Sequence, residues 1–284
     1  MFAISSCDII NPEEQIPAYV FFESINFVAE PDQGTTDQNF PFAEILTGDF
    51  NLGIHGIPSR VPILLEGEHK LDIFPGINEN GISSFPNTYS PLQFDEITLD
   101  LVPGEIDTVQ IEARYRDNLS FAIVEPFESD LQVFRIDVDG DPETKIILTD
   151  VDAFEGTRSA QIILNKDHPR IDVASPRSSA FPPDGSPVFL EMNYRTDTEF
   201  AIGVYWNTLS GGQQSSFTNF INPKSEWNKI YISLSDILNF IISEPGVTDW
   251  QIGISSQLPI ENGDFIDATR NIWVDNIKLI HLEP

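Results

Sequence analysis

Ile272 to Glu283 reads IWVDNIKLIHLE, and it decides the fold because its side chains alternate with a period of two, as those of an extended strand do. Trp273, Asp275, Ile277 and Leu279 fall on one side, and Ile272, Val274, Asn276 and Lys278 on the other. The first set is apolar except for Asp275, so the stretch reads as the closing strand of a sandwich with one acid among core-facing neighbours. An acid buried there must be neutralised, hydrogen-bonded or bound to a cation. Asp275 is therefore a candidate metal ligand, with backbone amides as the alternative partner.

Three earlier stretches share the alternation. Val188, Leu190, Met192 and Tyr194 alternate with Phe189, Glu191, Asn193 and Arg195; Phe200, Ile202 and Val204 with Ala201, Gly203 and Tyr205; and Trp250, Ile252 and Ile254 with Gln251, Gly253 and Ser255. One face of each is apolar and the other small or polar, which predicts a two-layer antiparallel sandwich. Outward-facing Asn193, Arg195 and Gln251 offer donors and acceptors, Tyr205 offers a flat ring, and Ala201, Gly203 and Gly253 leave room above the sheet. Trp206 ends its strand as a candidate rim. That mixture of stacking and hydrogen bonding suits a sugar, whereas Trp227 and Trp273 are expected in the core. One helix interrupts the strands: Ser235 as cap, Ile237, Leu238, Ile241 and Ile242 as its apolar stripe, and Pro245-Gly246 as its end.

Upstream, residues 18–115 read as a small β-sandwich. AYVFFESINFVAE opens it, Glu66-Gly67 separates two extended runs as a hairpin turn would, and two more strands flank Pro103-Gly104. The pattern resembles small immunoglobulin-like or PEGA-like sandwiches of bacterial surface proteins, which implies a spacer or docking module. In the second half, Asp137, Asp139 and Asp141 open like a calcium loop, but Pro142 stands where that loop needs glycine and its final glutamate is missing. A hairpin turn on Asp139-Gly140 is expected instead.

The chain has 284 residues with 45 Asp plus Glu against 15 Lys plus Arg, a formal charge of -30 that repels nucleic acid and anionic lipid surfaces. A single cysteine, Cys7, excludes internal disulfides and cysteine-built zinc sites. It closes MFAISSC, which resembles the tail of a bacterial lipoprotein signal with Cys7 as the lipidated residue. The acidic stretch DIINPEEQIP that follows is similar to the opening of Bacteroidota surface lipoproteins. Residues 1–17 are thus expected to be a signal remnant and tether, with membrane attachment by lipid alone and an outer-membrane, surface-exposed location.

EGTRSAQIIL, SEWNKIYISLSDIL and IWVDNIKL, in that order, resemble the strands of carbohydrate-binding jelly rolls of the galactose-binding-like type, over roughly residues 121–284. That resemblance implies a structural calcium ion held by Glu128, Asp275 and carbonyls of the loop 155–159. It also implies a glycan ligand. The four histidines are scattered, and no HExxH, GxSxG or phosphate loop is present. The expectation is an all-β, two-domain, noncatalytic protein: an immunoglobulin-like β-sandwich (18–115) followed by a jelly roll with one short helix (121–284) that binds a glycan through Asn193, Arg195, Tyr205, Trp206 and Gln251. The alternatives are a noncatalytic subunit docking onto an outer-membrane protein complex, and a glycan-cleaving enzyme.

Overall fold

Eight strands open the chain because their inward positions carry Ala18, Val20 and Phe22, then Ala43 and Ile45, then Leu71 and Ile73, all buried. They are β1 (Ala18–Val28), β2 (Phe42–Thr47), β3 (Phe50–Gly56), β4 (Ser59–Ile63), β5 (Gly67–Asn78), β6 (Pro86–Thr88), β7 (Asp95–Leu101) and β8 (Ile106–Arg114). The computed structural model from which these come describes residues 14–183 and 185–283. Cys7 and most of the expected tether lie outside the described residues. Strands β4-β1-β8 form one sheet and β3-β2-β5, with β7 on β5, the other. Val20, Phe22, Ile45, Leu71, Ile73 and Ile111 meet in one core. Glu66-Gly67 is not a hairpin turn: it joins β4 to β5, and these pair in different sheets.

The chain divides into two compact units, but not by a single cut. One comprises residues 14–26, Phe40–Gly76 and Phe94–Ala113, and the other Phe27–Asn39, Ile77–Gln93 and residues 114–283. Residues 27–39 and 77–93, expected within the span 18–115, belong to the second unit. Their polar groups explain why: the Tyr89 hydroxyl donates to Glu191 at 2.7 Å and the Asn39 amide to the Tyr231 hydroxyl at 2.8 Å.

The second unit contains β9 (Leu119–Glu125), β10 (Ile136–Asp137), β11 (Ile147–Thr149), β12 (Ser159–Leu164), β13 (Arg170–Ala174), β14 (Val188–Thr196), β15 (Phe200–Thr208), β16 (Gln213–Ile221) and β17 (Lys224–Ser233). The helix α1 (Ser235–Ser243) follows, then β18 (Val247–Gln257), β19 (Ile260–Glu261), β20 (Asp264–Phe265) and β21 (Arg270–Leu282). One sheet has the order β11-β12-β21-β14-β17 with β9 on β21, and the other β10-β13-β18-β15-β16. Leu190, Met192, Ile202, Val204, Ile252 and Ile254 fill the space between them. Among the described residues the all-β architecture with one short helix is thus the observed one. Residues Asp139-Gly140 form no hairpin, because β10 pairs with β13 in one sheet and β11 with β12 in the other. The aspartates there accept backbone amides instead, Gly140 on Asp137 and Asp141 on Asp139. Ser235 is not a cap either: Leu234 holds that position with no side-chain bond, and the Ser235 hydroxyl accepts from the Val188 amide. Leu238 and Ile241 are the fully buried members of the helix stripe.

The closing strand departs from strict alternation. Ile272 and Val274 lie in the core, and so do Ile277 and Leu279, which have the opposite parity. The phase slips at Asn276, whose φ of 50° is left-handed, where Glu191↔Lys278 and Asn193↔Asp275 leave one residue of β14 opposite two of β21. Trp273 and Asp275 consequently face outward. So does Lys278, where strict alternation would set it opposite in sense to Asp275.

Candidate functional site

The five-stranded sheet of the second unit has an outer face built in rows. Asp172, Ser255, Ala201 and Phe220 are successive cross-strand partners, and so are Ala174, Gly253, Gly203 and Phe217. Small residues make the middle of this floor. It is not empty, however: a Cβ on Gly253 would stand 2.5 Å from the Tyr205 ring and 2.8 Å from Phe217. The space expected above Gly203 and Gly253 is occupied by these two rings, which meet edge to face at 5.1 Å.

Phe217 and Phe220 were not among the expected site residues. Three positions apart, they fall on opposite faces under strict alternation. A register shift of β16 against β15 between Ile202 and Gly203 puts both on the outer face. Phe220 is 60% exposed on the edge strand. Across the floor Arg170 and Asp172 approach to 3.8 Å, and Asp172 accepts from the Tyr205 hydroxyl at 3.3 Å. Burial first, and then the Asp172 charge, push that hydroxyl well above its ordinary pKa, so it stays a neutral donor. These groups, with Glu199, Ser215 and Gln257, line a cleft of about 840 Å³.

The five expected ligand residues do not converge. Tyr205 lies in this cleft. Gln251 shares its sheet face, but its side chain is buried and donates to the Ser175 carbonyl at 2.6 Å. Trp206 is no rim residue: it has core parity, is 6% exposed, and its indole donates to Glu244 at 2.9 Å. Asn193 and Arg195 stand on the outer face of the other sheet, with the whole core between them and Tyr205. There Arg195 pairs with Asp152 and lies 4.2 Å over the Trp273 ring, while the Trp227 indole donates to Asp152 at 3.1 Å. Trp227 and Trp273 are therefore part of a cover on that outer face, not members of the core.

The two expected calcium ligands flank one loop. Asp275 is buried and accepts the amides of Phe154, Glu155 and Asn276; Glu128 accepts those of Thr157 and Arg158. Burial pushes the Asp275 carboxyl up to about 6 against these three amides, and the Glu128 charge adds to the rise. Asp275 makes no ion pair among the described residues, which is a charge a cation would relieve. The loop nevertheless turns N–H groups to both acids where calcium needs oxygens. Among the described residues no three His, Cys, Asp or Glu side chains converge to hold a metal.

No protein-family model and no curated protein matches the chain. Solved β-sandwich carbohydrate-binding modules are similar to it. A xylan-binding domain from Paenibacillus barcinonensis is 12% identical, over 58% of this chain and 96% of that one, with a TM-score of 0.40. A family 30 carbohydrate-binding module of a cellulosomal cellulase from Clostridium thermocellum is 12% identical, over 55% and 96%, with a TM-score of 0.39. A third, from work on the promiscuous specificity of modules of the β-sandwich superfamily, is 15% identical over 94% and 99%, with a TM-score of 0.40.

Proposed function

We propose that the second unit binds a glycan, without catalysis, in the cleft floored by Tyr205 and Phe217. The observation that carries this reading is Phe220, a large aromatic 60% exposed on a face that also offers the Arg170, Asp172 and Gln257 side chains. An exposed ring beside fixed donors and acceptors is what a pyranose needs: a flat apolar partner and hydroxyl-matched polar groups. With a net charge of -30 the protein disfavours polyanionic sugars, so the ligand is a neutral polysaccharide. The test is a glycan array probed with the whole chain and with Phe220→Ala. Binding to neutral glycans that Phe220→Ala weakens is expected; equal binding by both proteins moves the site off this face, and no binding by either removes the reading.

Lipidation of Cys7 and a surface location on the outer membrane belong to the same proposal, supported by ISSC and the acidic stretch after it. Incorporation of labelled fatty acid by cells expressing the chain behind a lipoprotein signal, lost in Cys7→Ala, tests it. A structural calcium ion at Glu128 and Asp275 is proposed with them, supported by the unpaired buried charge of Asp275.

A further inference from the structure

Outside the cleft, the outer face of β14, β17 and β21 carries a second array of cross-strand partners. One row reads Lys229, Asn193, Asp275, and the next reads Tyr231, Glu191, Lys278. Six polar or charged side chains thus stand on a surface that residues 27–39 and 77–93 cover. Glu191 is 0% exposed and the Lys229 side chain 2%. Most of the groups are satisfied. Glu191 accepts from Tyr89 at 2.7 Å, Tyr115 at 2.6 Å and Gln38 at 3.1 Å, and Lys278 donates to the Thr35 carbonyl at 2.9 Å.

Two buried atoms are the exceptions. Lys229 Nζ makes no hydrogen bond, and neither does the side-chain oxygen of Asn193, its direct cross-strand partner. Each such orphan is costly, and each calls for an explanation. Directly opposed side chains on an antiparallel pair have Cβ atoms about 4.5 to 5.5 Å apart, within the reach of a lysine stem. Lys229 Nζ already lies 3.3 Å from Glu191 Oε2, and the Asn193 amide nitrogen is held by Asp37 at 3.1 Å. An amine, a carboxamide and a buried carboxylate thus adjoin in a site closed to water. These are the nucleophile, electrophile and base of an acyl transfer.

We propose that Lys229 and Asn193 are joined in the folded protein by an intramolecular isopeptide bond, formed with Glu191 as the proton carrier. The Lys229 ammonium gives a proton to Glu191, and the free amine attacks Cγ of Asn193. As the bond from Cγ to Nδ2 breaks, Glu191 returns that proton to the leaving nitrogen; the second proton lost by Nζ leaves with it, so an ammonium ion departs. No oxidant or cofactor is needed, and the carboxylate is regenerated. The product amide removes the buried ammonium of Lys229 and leaves on Nζ a single N–H, with Glu191 beside it as acceptor. Lys278, on the other side of Glu191, has the Thr35 carbonyl and Tyr115 hydroxyl as partners and is not the nucleophile.

The intact mass of the whole purified chain decides the matter without requiring any variant to fold. The expected mass is lower than that of the sequence by one ammonia. A tryptic digest should contain one branched peptide joining the segment with Asn193 to the segment with Lys229, and no cleavage after Lys229. Peptide mapping separates this from a succinimide at Asn262-Gly263, which has the same mass loss and no branch. Lys229→Arg and Glu191→Gln should both restore the full mass. A folded wild-type chain with the full sequence mass and a linear peptide ending at Lys229 overturns the proposal.

Discussion

The ring of Tyr205 lies on Gly253, its near neighbour across β15 and β18, so closely that a methyl group on the glycine would stand 2.5 Å from the ring carbon Cε2. Gly253→Ala should therefore lift Tyr205 and with it Phe217 off the floor. Such overpacking costs roughly 1 to 3 kcal/mol of stability, and glycan binding should fall with it. Phe220→Ala should weaken binding by a contribution on the order of 1 kcal/mol or more while leaving the melting temperature unchanged, because its ring is exposed. Calorimetric titration and thermal melts of both variants separate the two effects.

Arg195 behaves in the opposite way. It stacks on Trp273 and pairs with Asp152 under the 150–158 loop. Arg195→Ala should lower the melting temperature and leave glycan affinity intact. A loss of affinity at unchanged stability would place a ligand on that outer face.

Acid should find Glu191. Burial alone would raise its carboxyl, but in a chain whose Lys229 is still a free ammonium, Lys229 and Lys278, with the hydroxyls of Tyr115 and Tyr89, reverse that and hold it at about 2 against an ordinary 4.5. The folded pKa is the lower one, so the stabilisation is full above pH 4.5 and is lost as pH falls through 2, on the order of 3 kcal/mol in all. Glu191→Gln should remove that segment of the acid-unfolding curve. It should also destabilise the protein near neutrality by about 3 to 5 kcal/mol, because the buried Lys278 ammonium loses its carboxylate.

Asp275 has the reverse sign. Its folded pKa of about 6 lies above the ordinary 3.8, so between these values the native chain binds the extra proton. Its contribution to stability accordingly rises as pH falls from 6 towards 4. Asp275→Asn should flatten the melting temperature in that window. Calcium, if held at the proposed site, should raise the melting temperature at pH 7 more than at pH 5, since protons compete for the same carboxylate. No calcium response at either pH removes the ion and leaves the amide-bonded acid.

The inward residues are the simplest case. Ile252 is 1% exposed between the sheets, and Ile252→Ala should cost about 2 to 5 kcal/mol through its cavity, read from denaturant unfolding.

What could be read from the chain follows from what period two encodes. Alternation assigned Phe200, Ile202, Val204, Leu190, Met192, Ile252 and Ile254 to the core, where they are. It states which side of its own strand a residue takes, and it is silent on which sheet the strand joins. Asn193 and Arg195 were for that reason grouped with Tyr205 and Gln251, although the sandwich separates them. Alternation also fails wherever one strand gains a residue on its neighbour: at Asn276, which turned Trp273 and Asp275 outward, and in β16, which hid the pairing of Phe217 with Phe220 on one face. Residues 27–39 and 77–93 were invisible for a third reason. Chain proximity set them with the first sandwich, whereas Tyr89, Gln38 and Thr35 are held by Glu191 and Lys278, more than a hundred residues away.

Asn276 acts on β21 much as a frameshift acts on a message. Everything before it is read in one frame and everything after it in the other, so a single strand sends Ile272 and Val274 inward and then Ile277 and Leu279 inward as well. Deleting that one residue would restore the simple alternation and leave every other position in its present sense, whereas pairing the strand regularly with Asn276 still in place would spell the ammonium group of Lys278 into the oily interior and Ile277 out of it. The tolerance of this strand to substitution is thus a matter of chemistry, but its sense beyond Asp275 hangs on whether that one residue is skipped or read.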